Sequence, residues 1–146
     1  MCVHFLLLLL LLVSSVTAKI AYFTLIGAVS ESRANFGYFL NALVNKKVLT
    51  DAGSEADFVV LLHFASNPSS SSSSFSAEEE IRLLTSHGIK VHKVPSLSTT
   101  TYYTSYLEVV LTKLFLWTLA DYEAILFLDS DVLLLDELDP LLLSFS

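Results

Sequence analysis

Four short β-rich runs, apolar except for the mixed run at 89–94, are separated by segments with helical periodicity and constrain this chain more than any other feature of its sequence. They span residues 19–26, 57–64, 89–94 and 124–128. Runs of this length without polar alternation are typical of strands buried on both faces of a parallel sheet. Because alternating strands and helices form layered α/β structures, we predict an α/β fold. Its sheet is expected to be open, mainly parallel and Rossmann-like, with helices on both faces.

Three segments between the runs are predicted to form helices. The second begins at a capping box formed by Ser76 and Glu79, and ends near Gly88, a C-terminal cap. The first and the third (residues 106–119) are amphipathic, because their apolar residues recur three and four positions apart. The residues expected to face the core are Phe36, Phe39, Leu40, Leu43 and Val44 in the first helix, and Leu107, Val110, Leu111, Leu114 and Trp117 in the third.

The order of the strands predicts where a ligand would bind. Right-handed crossovers favour the order 3-2-1-4, in which the winding reverses between the first and fourth strands. Ligands of such sheets bind beyond the carboxyl ends of the strands at this reversal. The loop that starts at Gly27 and the pair Asp129 and Asp131 are expected to lie there.

Asp129-Ser130-Asp131 follows the fourth apolar run directly. Carboxylates two residues apart on an extended chain point the same way, so both can face one ion. Hard oxygen ligands suit Mg²⁺ or Mn²⁺, which keeps coordination positions open for substrate phosphates. The alternative is that both aspartates only form a turn or cap a helix. Spacing alone leaves the two interpretations open.

The residues around this motif narrow the choice. Thr112-Lys113-Leu114 lies in a predicted helix, Tyr122 and an apolar strand follow, and Leu128 precedes the aspartates. Leu138-Asp139-Pro140-Leu141-Leu142 comes next. Together this block resembles glycosyltransferase family 8, the glycogenin-like family. The opening run, with Ala21-Tyr22-Phe23-Thr24-Leu25, also resembles the first strand of that family.

The resemblance implies a GT-A fold, a nucleotide-sugar donor (most often a UDP-sugar), Mn²⁺, and transfer that retains anomeric configuration. Asp129 and Asp131 match the metal and diphosphate-ribose residues, with Ser130 between them in the donor-binding stretch. Lys113 matches a donor-site cation. Thr24 and Leu25 match residues that line the nucleoside pocket through backbone and side-chain contacts. No residue of this chain matches a catalytic group of the family.

Two departures from the family pattern qualify these expectations. Residues 27–33 contain no tyrosine to match the one that helps to hold uridine, so the base is left open. The acceptor half of the family, with its late His-x-x-Gly-x-x-Lys-Pro motif, has no counterpart before Ser146. We therefore expect residues 19–146 to be the nucleotide-sugar-binding half of a domain truncated after its fourth strand, a fragment inactive alone.

The N-terminal residues predict entry into the secretory pathway. An apolar run and the small residues Val16-Thr17-Ala18 give residues 1–18 the pattern of a cleaved signal peptide. The run is shorter than the roughly 17–25 residues that span a bilayer. The destination would be the ER or Golgi lumen or the outside of the cell. The alternative is an uncleaved anchor and a type II membrane protein, the only case in which we expect a membrane partner.

Composition excludes several further classes. The formal net charge of −7 and the absence of a basic patch argue against a nucleic-acid partner. Cys2, the only cysteine, lies in the predicted leader, so residues 19–146 can form no disulfide.

Residues 66–76 are rich in serine and are predicted to form a low-complexity loop.

The Asp-x-Asp motif after an apolar strand occurs in chains of more than one function. A retaining glycosyltransferase would transfer sugar to a glycan, lipid, protein or polyol acceptor. A non-catalytic or degenerate luminal domain is the alternative. A haloacid-dehalogenase-like phosphatase also places Asp-x-Asp after an apolar strand, but early in its sheet, whereas only 15 residues follow Asp131 here. The phosphatase interpretation is rejected.

Overall fold

A computed structural model describes residues 19–29, 36–64, 77–94 and 110–145. The predicted leader, the serine loop, the proposed cap Ser76 and Leu107 lie outside these ranges. Over the described ranges, no helix is both long enough and apolar enough to cross a membrane. In chain order the elements are β1 (Ile20–Val29), α1 (Phe36–Ala52), β2 (Asp57–Phe64), α2 (Ala77–Ser86), β3 (Lys90–Val94), a 3-10 helix η1 (Lys113–Thr118), β4 (Ala124–Leu128) and α3 (Asp139–Leu143).

The four strands form one parallel sheet in the order β3-β2-β1-β4, which confirms the predicted fold class and strand order. β1 therefore pairs with β2 on one side and with β4 on the other. Thr24, for example, lies between Val60 of β2 and Leu128 of β4. The winding reverses between β1 and β4, as the sequence predicted.

Each sheet face carries its own apolar cluster. The first face packs against α1, α2 and α3, and the second face packs against η1. This division follows from the crossovers: two successive connections move one way along the sheet, and the third returns past β1. The main contacts of the first face come from Tyr22, Phe58 and Val60 beneath Phe39, Leu49, Leu84 and Leu142. Those of the second face come from Phe23, Leu25, Val59 and Leu61 beneath Phe115, Leu116 and Leu119.

The buried face of α1 differs from the predicted one. Of the five apolar residues expected to face the core, only Phe39 is fully buried, while Leu40 and Val44 are about half exposed. The residues that the sheet covers are Phe39, Ala42, Asn45 and Leu49. These positions also recur at helical spacing, but they include the small residue Ala42 and the amide Asn45. A prediction based on hydrophobicity alone therefore chose the neighbouring face of the helix.

Glycines end two of the helices. Gly53 follows α1 with a φ of 83°, and Gly88 follows α2 with a φ of 74°. At Gly88 the returning chain caps the helix, because the Ile89 amide donates to the Leu84 carbonyl at 3.1 Å. The left-handed conformation that this turn requires strains any residue with a Cβ. The predicted cap at Gly88 is therefore confirmed.

The third helix packs on the sheet by a different side from the one predicted. Residues 110–112 are α-helical and η1 continues to Thr118. Val110, Leu114 and Trp117 were expected in the core but are exposed, Trp117 to 88%. Phe115, Leu116 and Leu119 make the apolar contacts with the sheet instead. The sheet therefore contacts the side of this segment that carries Leu116 and Leu119, three residues apart as in a 3-10 helix, and not the side that carries Val110, Leu114 and Trp117.

The chain after β4 returns across the first face. Leu134 and Leu142 are buried there. α3 is fixed by Asp139, whose Oδ1 accepts hydrogen bonds from the Tyr22 hydroxyl at 2.7 Å and the Ser54 hydroxyl at 2.9 Å. The Tyr22 oxygen in turn accepts a bond from the Leu138 amide at 2.6 Å. This network ties the last helix to the centre of the sheet.

Candidate functional site

Asp129, Ser130 and Asp131 form a turn directly after β4, at the carboxyl edge of the sheet. The Val132 amide donates to the Asp129 carbonyl at 3.0 Å and closes the turn. Both aspartates are exposed. Their carboxylates are therefore accessible to a ligand at the place where the winding of the sheet reverses.

Lys113 lies beside the first of these carboxylates. Its Nζ donates to Asp129 Oδ1 at 2.6 Å and sits 4.8 Å from the centre of the Phe127 ring. Lys113 belongs to η1 on the second face, so its side chain reaches the edge where β4 ends. The structure thus brings together the predicted donor-site cation and the first predicted metal ligand.

Thr24 and Leu25 are placed differently. Their side chains are only 3% and 5% exposed, and they point to opposite faces of the sheet. Leu25 packs in the cluster of the second face. Thr24 Oγ1 is buried without a hydrogen-bond partner among the described residues. Both side chains are therefore packed in the interior and not at the exposed turn, and the expected backbone and side-chain contacts of Thr24 and Leu25 with a nucleoside stay a prediction.

The loop predicted from Gly27 is also displaced. β1 continues to Val29, past the end of β4, with a shift of register against β2 between Ile26 and Val29. Gly27 is therefore part of a strand. The rest of the predicted loop, residues 30–32, lies outside the described residues. The edge next to the aspartates is formed by the end of β1.

The two aspartates are the candidate ligands of the predicted metal site, and they lie in a turn instead of on the extended chain from which their shared direction was predicted. Two exposed carboxylates offer the hard oxygens that Mg²⁺ and Mn²⁺ prefer, and both ions commonly fill other positions with water and phosphate oxygens. Within the part of the chain that the structure describes, no group of three or more His, Cys, Asp or Glu side chains could hold a metal. The donor set fits a cation shared with a phosphate ligand better than a closed structural site.

Two asparagines of α1, which the sequence analysis did not select, hold the backbone of this turn. Asn41 Nδ2 donates to the Ser130 carbonyl at 2.7 Å and to the Val132 carbonyl at 2.8 Å. Asn45 Nδ2 donates to the same Val132 carbonyl at 2.9 Å, and its Oδ1 accepts from the Leu134 amide at 2.8 Å. The large majority of buried polar side chains are hydrogen-bonded, and Asn45 is 2% exposed. An amide at a core-facing helical position was the signal that could have identified this contact.

The opposite edge of the sheet contains a separate cavity of about 470 Å³, lined by Lys19, Asp57, Lys90 and Asp139 among others. Asp57 Oδ2 accepts hydrogen bonds from Lys90 and, at 2.9 Å, from the Tyr122 hydroxyl. Burial raises the pKa of Asp57, but these bonds and the positive charge of Lys90 outweigh it and leave that pKa below its usual value. This cavity lies at the amino ends of the strands and is distinct from the aspartate turn.

A scan against protein-family models and a search of curated proteins found no match for this chain. An assignment of function therefore depends on the residue pattern around the Asp-Ser-Asp motif and on the geometry of the turn.

Proposed function

We propose that this chain is the donor-binding half of a retaining, GT-A-type glycosyltransferase of the secretory pathway, similar to the glycogenin-like family. One observation carries the proposal. The Asp-Ser-Asp turn is exposed at the carboxyl edge of a parallel sheet, at the reversal between β1 and β4, with Lys113 Nζ 2.6 Å from Asp129. Sheets of this topology bind ligands at this position.

Charge explains why a nucleotide diphosphate would need a cation here. Residues 121–146 contain seven Asp or Glu and no Lys or Arg. Such a surface repels phosphates unless a divalent ion lies between them. Asp129 and Asp131 would hold Mn²⁺ or Mg²⁺, and the ion would supply positive charge that stabilises the departing diphosphate.

Lys113 would provide a second positive charge. Its ammonium group already contacts Asp129, and a phosphate oxygen next to the metal would lie within reach of the same group. Exposed ion pairs contribute only about 0–1 kcal/mol to stability, and both partners are substantially exposed. The pair therefore contributes little to folding, and Lys113 can be replaced to test donor binding without unfolding the chain.

The direct test is calorimetric titration of UDP into the chain with and without Mn²⁺. Asp131→Asn removes one carboxylate from the turn, and Asp136→Asn is the matched control, because Asp136 is an exposed aspartate of the same segment. We expect Mn²⁺-dependent binding that Asp131→Asn weakens at least about tenfold, as loss of a metal ligand should. Equal affinity in the two variants would overturn the role of Asp131.

A degenerate luminal domain without transferase activity is the second candidate. It is favoured by the burial of the Thr24 and Leu25 side chains, which are not exposed toward a nucleoside at the turn. This candidate predicts that Mn²⁺ does not change UDP affinity. The same titration therefore separates the two.

A further inference from the structure

We propose that Asn41 is a positioning residue for the donor site, which directs the carboxylate of Asp131 by holding the backbone on both sides of it. The inference rests on the proposed function and adds to it a residue outside the Asp-Ser-Asp motif. Asn41 does not touch the carboxylate itself. Its amide nitrogen donates both of its hydrogens to carbonyls that flank Asp131, those of Ser130 and Val132.

The two bonds restrain the turn strongly. The Ser130 and Val132 carbonyls, at 2.7 Å and 2.8 Å from one nitrogen, must converge on the same point. The backbone between them therefore has little freedom, and the direction of the Cα–Cβ bond of Asp131 is set. Two other bonds are described for the backbone of the turn: the Val132 amide donates to the Asp129 carbonyl, and Asn45 Nδ2 donates to the Val132 carbonyl.

The helix that carries Asn41, α1, is packed firmly on the sheet. α1 is held on the sheet by Phe39, Ala42 and Leu49, each at most 2% exposed. One helical turn beyond Asn41, Asn45 is buried and binds both the Val132 carbonyl and the Leu134 amide. The exposed aspartates are therefore held in place relative to the core of the domain, although their own side chains lie in solvent.

Asparagine has the chemistry that this position requires. A carboxamide on a short side chain presents two donors in one plane. Aspartate has nearly the same shape but, when ionised, only accepts hydrogen bonds, so it would face two carbonyl oxygens. A metal site built from two carboxylates needs them placed to within about 0.5 Å, which is the function that we assign to Asn41.

The test compares Asn41→Ala and Asn41→Asp with Leu40→Ala in the full chain. Leu40 is the matched control, because it is the preceding residue of α1 and is about half exposed. We expect both Asn41 variants to lose about 10–100-fold in Mn²⁺-dependent UDP affinity, the usual effect of removing a residue that orients a metal ligand. Amide exchange at Val132 should accelerate in both, while Leu40→Ala should match the unsubstituted chain in both measurements.

The outcomes separate the two proposals. If the unsubstituted chain binds UDP with Mn²⁺ and Asn41→Asp binds as tightly as Leu40→Ala, the positioning role is overturned and the proposed function stands. Unchanged exchange at Val132 in both Asn41 variants also overturns the positioning role. If the unsubstituted chain shows no Mn²⁺-dependent binding, the proposed function fails, and the role of Asn41 toward the donor fails with it.

Discussion

Tyr22→Phe should destabilise the domain far more than the loss of one oxygen atom suggests. The Tyr22 side chain is fully buried, and its hydroxyl both donates to Asp139 and accepts from the Leu138 amide. Burial, together with the hydrogen bond to Asp139, raises the pKa of Tyr22 well above its usual value, so the hydroxyl stays protonated. Phenylalanine keeps the ring and therefore creates no large cavity.

The magnitude follows from the two lost hydrogen bonds. A bond to a charged acceptor contributes about 1.5–3 kcal/mol, and a buried donor left without a partner costs about 1–3 kcal/mol. Because the Ser54 hydroxyl still donates to Asp139, part of the loss at the carboxylate is compensated. We expect the free energy of unfolding to fall by about 2–4 kcal/mol.

Urea unfolding followed by circular dichroism measures this loss. Tyr38→Phe is the control, because Tyr38 is 40% exposed on α1 and a surface change of this kind alters stability by less than about 0.5 kcal/mol. The refuting result is a free energy of unfolding for Tyr22→Phe within about 0.5 kcal/mol of that for Tyr38→Phe, the usual limit for surface changes. In that case the network does not hold α3 on the sheet. The slope of the transition should stay constant, since the surface exposed on unfolding is unchanged.

Three further predictions concern charged groups. Burial raises the pKa of Glu80, because it disfavours the charged carboxylate. Glu80→Gln should therefore stabilise the domain at pH 7. The control is Glu78→Gln, which removes a charge from the same end of the helix at an exposed position. The gain should disappear as the pH falls to the ordinary value of 4.5, and thermal melts at several pH values will show whether it does. The lowered pKa of Asp57 stabilises the fold fully above the ordinary value of 3.8, and this stability is lost as the pH falls below that value. In an acid titration, the stability of Asp57→Asn should therefore fall less steeply with pH than that of the unsubstituted chain. Parallel curves of stability against pH would contradict this. Lys113→Met should weaken Mn²⁺-dependent UDP binding in a titration with little change in melting temperature, whereas a large fall in melting temperature would show that the ion pair with Asp129 is structural.

The sheet could be predicted from the sequence because its buried strands are mostly uninterrupted runs of apolar residues. The apolar runs predicted at 57–64 and 124–128 coincide with β2 and β4. The strand order then followed from the handedness of crossovers, which is nearly invariant. The helix faces could not be predicted as well. Trp117 is the largest apolar side chain in its segment, yet it is exposed, because the segment packs on the sheet through Phe115, Leu116 and Leu119 instead.

The candidate site was predictable in part. Because the Asp-Ser-Asp motif follows an apolar run directly, the sequence placed Asp129 and Asp131 correctly at the edge of the sheet. The contact between Lys113 and Asp129 joins residues 16 apart, and the resemblance to a family was needed to suggest it. The contact of Asn41 with the turn spans 89 residues, and no local pattern in the sequence indicates it. Such contacts depend on how α1 lies on the sheet, which only the three-dimensional structure determines.

The most direct test of the central claim is to locate the metal by nuclear magnetic resonance. Mn²⁺ broadens the amide signals of nearby residues, and Mg²⁺ serves as the diamagnetic control. With UDP present, the account predicts selective broadening at Asp129, Ser130, Asp131 and Lys113, with the signals around Asp57 at the opposite edge unchanged. Broadening centred on Asp57, or no selective broadening at the turn, would contradict the assignment of this chain as a nucleotide-sugar-binding domain.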